Sequence, residues 1–110
     1  MVIEIDGKDI ELKFGLKFIH ELDKEHFIVR EGMKYGTGVQ YVFSNLLMRN
    51  PLILVDVITN ASNVSKSKAE RFVEECEDIE ALFDDFLERL ETAPMTKLQI
   101  KAIKSSLTED

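Results

Sequence analysis

The pair Asp6-Gly7 stands between two stretches that alternate apolar and polar residues, and such a pair signals a two-residue hairpin turn. With those residues in the turn, Ile5 faces Lys8, Ile3 faces Ile10 and Met1 faces Leu12. Met1, Ile3, Ile5, Ile10 and Leu12 then share one face, while Glu4, Asp9, Glu11 and Lys13 share the other. A slip of one residue mixes the two sets, so the register is strongly specified. An isolated two-stranded hairpin is marginal in water, and its apolar face needs a cover. The rest of the chain must supply it.

From Gly15 onward the apolar period changes from two to the helical value, with Leu16, Phe18, Ile19 and Leu22 in a first helix that ends near Glu25. Phe27-Ile28-Val29 and Met33-Lys34-Tyr35, separated by Arg30-Glu31-Gly32, fit either a second small hairpin or an irregular loop. Val39, Val42, Phe43, Leu46 and Leu47 predict a second helix ending at Asn50-Pro51, because proline disfavours helical geometry in the residue before it. Asn50 as N-cap and Pro51 at the first helical position start a third helix through Leu52, Leu54, Val55, Ile58 and Ala61.

A polar loop over 60–67 follows. Ser67 with Glu70 reads as a capping box for Ala69, Phe72, Val73 and Cys76. Ile79, Leu82, Phe83, Phe86, Leu87 and Leu90 continue at helical spacing, either in the same helix or in a separate one capped by Asp78. A heptad placing Ala69, Cys76, Phe83 and Leu90 at one core position and Phe72, Ile79 and Phe86 at the other is too short and too rich in phenylalanine for a coiled coil. Packing within the chain is expected instead. Beyond Thr92-Ala93-Pro94, with Thr96 and Gln99 as a weak capping box, residues 95–110 are expected to form a mobile or weakly helical tail. The fold class is α+β and mainly helical: an N-terminal β-hairpin packed against four or five helices, in one globular domain over residues 1–94.

A chain of 110 residues that is 45% hydrophobic and 32% charged buries a real core and leaves room for one domain. No window approaches the ~18 apolar residues of a membrane span, and the N-terminus lacks a basic start followed by an apolar run. A cytoplasmic protein without membrane contact is the expectation. The single cysteine, Cys76, lies in a helical apolar stripe and is expected to pack in the core. Asn60-Ala61-Ser62 and Asn63-Val64-Ser65 match the glycosylation triplet by chance in a polar loop. A net charge of −7 opposes binding to a phosphate backbone. The segment 70–91 holds ten acids against Arg71 and Arg89, a charge of −8, and forms a solvated helix face or a docking surface for a basic partner.

Motifs for catalysis fail on spacing. His20 and His26 are six residues apart, whereas zinc-protease histidines sit at i and i+4 on one helix face. Gly36-Thr37-Gly38 precedes a helix, but Tyr41 stands where a dinucleotide fingerprint needs its third glycine, and no P-loop lysine follows. Asp84, Asp85 and Glu88 lie opposite the apolar stripe without EF-hand spacing. No serine is flanked by glycines as a nucleophile elbow requires. The residues therefore point to no catalytic site, cofactor or metal.

Three blocks resemble a known family. Glu4-Ile5-Asp6-Gly7-Lys8 through Lys13-Phe14-Gly15 to Glu21-Leu22-Asp23 is similar to the start of the tail assembly chaperones of long-tailed phages and prophages of Gram-positive bacteria. Gly36-Thr37-Gly38-Val39-Gln40-Tyr41, with Leu46, Leu47, Asn50, Pro51 and Asp56, is similar to the middle of that family. Glu77-Asp78-Ile79-Glu80-Ala81-Leu82-Phe83 through Ala93-Pro94 is similar to its end. The resemblance implies a protein that keeps the tape measure protein soluble while the tail tube polymerises around it, acts in the host cytoplasm and is absent from the finished virion. It further implies a longer form made by ribosomal frameshifting. The tail tube protein and a second copy of the chain are further candidate partners, and Phe83, Phe86 and Leu90 are the candidate partner-binding residues. Two other classes stay open: a small acidic regulator or inhibitor of a basic protein, and a metal-dependent enzyme subunit using Asp84, Asp85 and Glu88.

Overall fold

The computed structural model describes residues 1–108. The chain opens with the expected antiparallel hairpin, β1 (Val2–Ile5) and β2 (Lys8–Glu11). Ile5 pairs with Lys8 and Ile3 with Ile10, and the Leu12 N–H donates to the Met1 carbonyl at 2.7 Å. Asp6 and Gly7 take φ of 54° and 76°, the two positive values of a primed turn. Ile3, Ile5 and Leu12 are buried, so one face of the hairpin joins the core as the alternation required.

Among the described residues six helices follow the hairpin. Helix α1 (Leu16–Glu25) leads into a second hairpin, β3 (Phe27–Arg30) and β4 (Met33–Gly36), and then into α2 (Gly38–Leu47), α3 (Leu52–Ala61), α4 (Lys66–Glu74), α5 (Ile79–Thr92) and α6 (Lys97–Thr108). Helix α2 sits centrally and packs against α1, α3, α5 and α6. Its Val39, Val42, Phe43 and Leu46 meet Phe18 and Leu22 of α1, Ile53, Leu54, Val57 and Ile58 of α3, and Phe86 and Leu90 of α5 in one core.

The bend between α2 and α3 has a clear physical origin. Arg49 adopts φ 57°, with its N–H on the Leu46 carbonyl and the Asn50 N–H on the Asn45 carbonyl, which closes the end of α2 as a Schellman motif. Glycine usually fills that position. Here the Arg49 side chain is held by Asp84 at 2.9 Å and lies over the Phe83 ring at 5.4 Å, so distant contacts offset the backbone strain. Asn50 Oδ1 accepts from the Leu52 N–H and Pro51 takes helical φ and ψ of −65° and −22°, in keeping with the expected start of α3.

Two caps differ from expectation. Ser65, not Ser67, caps α4 by accepting from the Lys68 N–H, a choice that turns Ala69 and Val73 into the core. Thr96 does not cap α6 through its side chain. Its hydroxyl donates to the Leu90 carbonyl at 2.7 Å, and residue 94, which would supply the helical N–H to that carbonyl, is proline. Residues 66–92 form two helices rather than one, with Asp78 accepting from the Ala81 N–H at the start of α5. Cys76 lies in the connection, packed against the margin of the core.

Most of the segment 95–110, expected to be a mobile or weakly helical tail, is helix α6 in this structure. Helix α6 packs on α2 and α5, Ile100 is 1% exposed, and Lys104 pairs with Glu91 at 2.7 Å. Residues 109 and 110, the end of the expected tail, lie outside the described residues. No described helix is long and apolar enough to cross a membrane.

Candidate partner-binding surface

The helical spacing of Phe83, Phe86 and Leu90 marks a stripe on α5 that faces inward. The three side chains are 4%, 0% and 0% exposed, and Phe86 lies 6.4 Å from the Phe14 ring. In the folded chain they are part of the core. The acids of the same region are mostly on the surface; Asp84 is engaged by Arg49, Glu91 by Lys104, and Asp78 by the Ala81 N–H at the start of α5. Asp85 and Glu88 stay exposed on α5, and no group of three metal-ligating side chains forms among the described residues.

A group of exposed apolar side chains lies elsewhere, on the hairpin β3–β4. Glu31 and Gly32 take φ of 53° and 79°, so this turn has the same backbone form as the first. The resulting pairs are Phe27 with Gly36, Ile28 with Tyr35, Val29 with Lys34 and Arg30 with Met33. Ile28, Arg30, Met33 and Tyr35 therefore share one face, and Phe27, Val29 and Lys34 the other. Every residue of both strands is exposed, including Val29 at 62% and Met33 at 59%. The small contacts that do form stay within the hairpin: Lys34 Nζ lies 4.2 Å above the Phe27 ring, and the Tyr35 hydroxyl sits 3.6 Å from Met33 Sδ.

The base of this hairpin is fixed by close packing. The Gly38 N–H donates to Asp23 Oδ1 at 2.8 Å, and the Thr37 N–H donates to the His26 carbonyl at 2.9 Å. A Cβ on Gly36 would collide with the Asp23 carboxylate, and one on Gly38 with Leu22. The glycines that resembled a nucleotide loop instead let two strands and α2 pass close to α1. His26 stacks on Tyr41 with ring centroids 3.7 Å apart, which ties the foot of β3 to α2.

Helix α3 carries a partly buried carboxylate, Asp56. Burial raises its pKa above the ordinary carboxylate value, with the Glu25 carboxylate adding to the effect and His26 and Lys66 opposing it. Leu47, Met48 and Leu52 form a second exposed apolar group at the α2–α3 bend. The groove between β1–β2 and the end of α3 with the loop after it has mixed charge, lined by Lys8, Lys13, Lys17 and Lys68 and by Asp6, Asp9 and Glu11.

The exposure of β3–β4 has a signal in the sequence. Three consecutive apolar residues, Phe27-Ile28-Val29, put apolar groups on both faces of a strand. A two-stranded hairpin beside a helical core has at most one face covered, so part of that run must remain exposed. An anchored hairpin with both apolar faces open is a feature of interaction surfaces. Nothing in its residues resembles catalytic machinery.

Comparison with known proteins agrees with a binding role. The sequence model of a protein family described as phage tail assembly chaperone protein, TAC, matches residues 2–104. No curated protein and no solved structure matches the chain. Since the match runs from β1 into α6 and takes in both hairpins, the chain belongs to the family of phage tail assembly chaperone proteins.

Proposed function

We propose that the chain binds the tape measure protein and keeps it soluble while the tail tube assembles, acting in the host cytoplasm and leaving before the virion is complete. Family membership supports the assembly role, and a chaperone family is not an enzyme family. The observation that carries the binding role is the anchored β3–β4 hairpin, whose Ile28, Val29, Met33 and Tyr35 are exposed outside the core. An apolar client is attracted to such a surface because burial of apolar area is favourable by roughly 25 cal/mol per Å². The acidic exterior of α5 and of the 75–78 connection before it supplies the other requirement, a charge that keeps the complex dispersed.

A long client with a repetitive helical pattern offers many similar sites, so weak contacts add through multivalency and several copies bind at once. Co-expression tests this directly. The tape measure protein is expected to move from the insoluble to the soluble fraction when this chain is present, in a complex holding several copies. Replacing Ile28, Met33 and Tyr35 together with serine is expected to abolish the rescue while the circular dichroism of the chain stays unchanged. A tape measure protein that stays insoluble with the wild-type chain, and with any frameshifted longer form supplied as well, refutes the assignment.

A further inference from the structure

The outer edge of β3 is open. Hydrogen-bonded pairs alternate with non-bonded ones along an antiparallel ladder, and the Thr37 to His26 bond sets the phase. His26 with Thr37, Ile28 with Tyr35 and Arg30 with Met33 are the bonded pairs. The N–H and C=O groups of Phe27 and Val29 therefore point away from β4, and no hydrogen bond to them forms among the described residues. The other outer edge is less free, because α1 packs beside β4 and the Asp23 carboxylate abuts Gly36.

The two hairpins treat their edges differently. The first carries Glu4 in β1 and Asp9 and Glu11 in β2, charges that discourage a third strand. Strand β3 reads Phe-Ile-Val-Arg, with no acid and a single cation. Arg30 forms no ion pair among the described residues, and Lys34 is the other charge on the strands of this hairpin. An extended segment with alternating apolar residues and an acid near Arg30 matches this edge in both backbone and charge. A helix laid on the same face would leave the outward groups of Phe27 and Val29 without partners.

We propose that the β3 edge captures an extended, acid-bearing segment of a tail protein, which adds to β3–β4 as a third strand. This rests on the reading that the chain binds tail proteins, and it specifies how one of them is held. Residue 29 gives a selective probe. Proline there removes the outward N–H and leaves the Ile28–Tyr35 and Arg30–Met33 pairs able to form, while proline at residue 34 does the same on the opposite edge.

The test uses the full chain with short overlapping synthetic peptides that cover the tape measure and tail tube proteins of the same phage. Binding is followed by fluorescence anisotropy, and exchange of the Val29 amide by NMR. At least one peptide is expected to bind, to slow exchange at Val29, to bind about tenfold or more weakly to Val29→Pro and to be held almost unchanged by Lys34→Pro. Equal weakening by both prolines, or a bound peptide that leaves the Val29 amide exchanging freely, overturns the proposal. If Val29→Pro does not fold, the amide protection in the wild-type chain decides. Protection of Val29 in the chain alone, increasing with its concentration, assigns the edge to a second copy and also overturns it. Binding of the intact tape measure protein without binding of any peptide defeats strand capture and leaves the chaperone reading standing, whereas loss of both counts against that reading.

Discussion

Replacing Ile100 with alanine measures whether α6 belongs to the folding unit. Ile100 is 1% exposed and lies in the core cluster, whereas Leu98, two residues away on the same helix, is 71% exposed. Truncation of a buried isoleucine to alanine costs about 2 to 5 kcal/mol, depending on how far the site collapses. Helix α6 is the last element and is held from α2 and α5, so it has freedom to settle inward, which places the cost near 2 to 3 kcal/mol. With a urea m-value typical of small domains, that shifts the denaturation midpoint down by about 1 to 2 M. Leu98→Ala is the matched control and is expected to stay within about 0.5 kcal/mol of the wild type. Both are read by urea titration followed by circular dichroism, with the slope checked for a single transition. Equal midpoints for the two variants would refute the docking of α6 and return the segment to the status of a tail.

Thr96→Val keeps the shape but removes the donor to the Leu90 carbonyl, and is expected to destabilise the fold by about 1 to 2 kcal/mol in the same titration. Gly7→Val is expected to cost about 1 kcal/mol or more through its positive φ alone, since a side chain there meets nothing within 4 Å; an unchanged midpoint contradicts the turn. Asp56→Asn tests the partly buried carboxyl, whose raised pKa means that the protonated form is favoured by folding. The wild type then holds that stability below the ordinary carboxylate pKa and loses it as pH rises through the raised value. The asparagine variant is expected to be the more stable at neutral pH and to lose its advantage in acid, and stability curves that stay parallel across pH would contradict this.

Where local rules dominate, the structure was legible in the sequence. Asp6-Gly7 fixed the first hairpin because one turn chemistry and one alternation agreed on the register. The second hairpin was legible only as one of two options, since Glu31 at positive φ is a weaker turn residue than Asp or Asn. The position of α6 is not legible because its apolar residues fall on two sides of the helix, Leu98 and Ala102 opposite Ile100 and Ile103, so that no single stripe marks the inward face. The spacing of Thr96 and Gln99 suggests a local cap, whereas the partner of Thr96 six residues back depends on Pro94 breaking the usual bond.

The candidate site illustrates the same division. Apolar spacing on α5 showed that Phe83, Phe86 and Leu90 share a stripe, but spacing alone does not say whether a stripe meets the core or a partner. In the fold it meets the core, while a cluster of exposed apolar residues, Phe27, Ile28, Val29, Met33 and Tyr35, lies in a segment without helical period. The acidic run over 70–91 was legible as surface, since its phase opposes the buried stripe.

Site-specific photo-crosslinking of the co-expressed complex tests the account most directly. A photoreactive residue at Tyr35, on the open hairpin, is compared with one at Leu16, which is 71% exposed at the start of α1. The account predicts crosslinks to the tape measure protein from position 35 and few or none from position 16. Crosslinks from position 16 alone, or equally from both, would contradict the assignment of β3–β4 as the surface that holds the client.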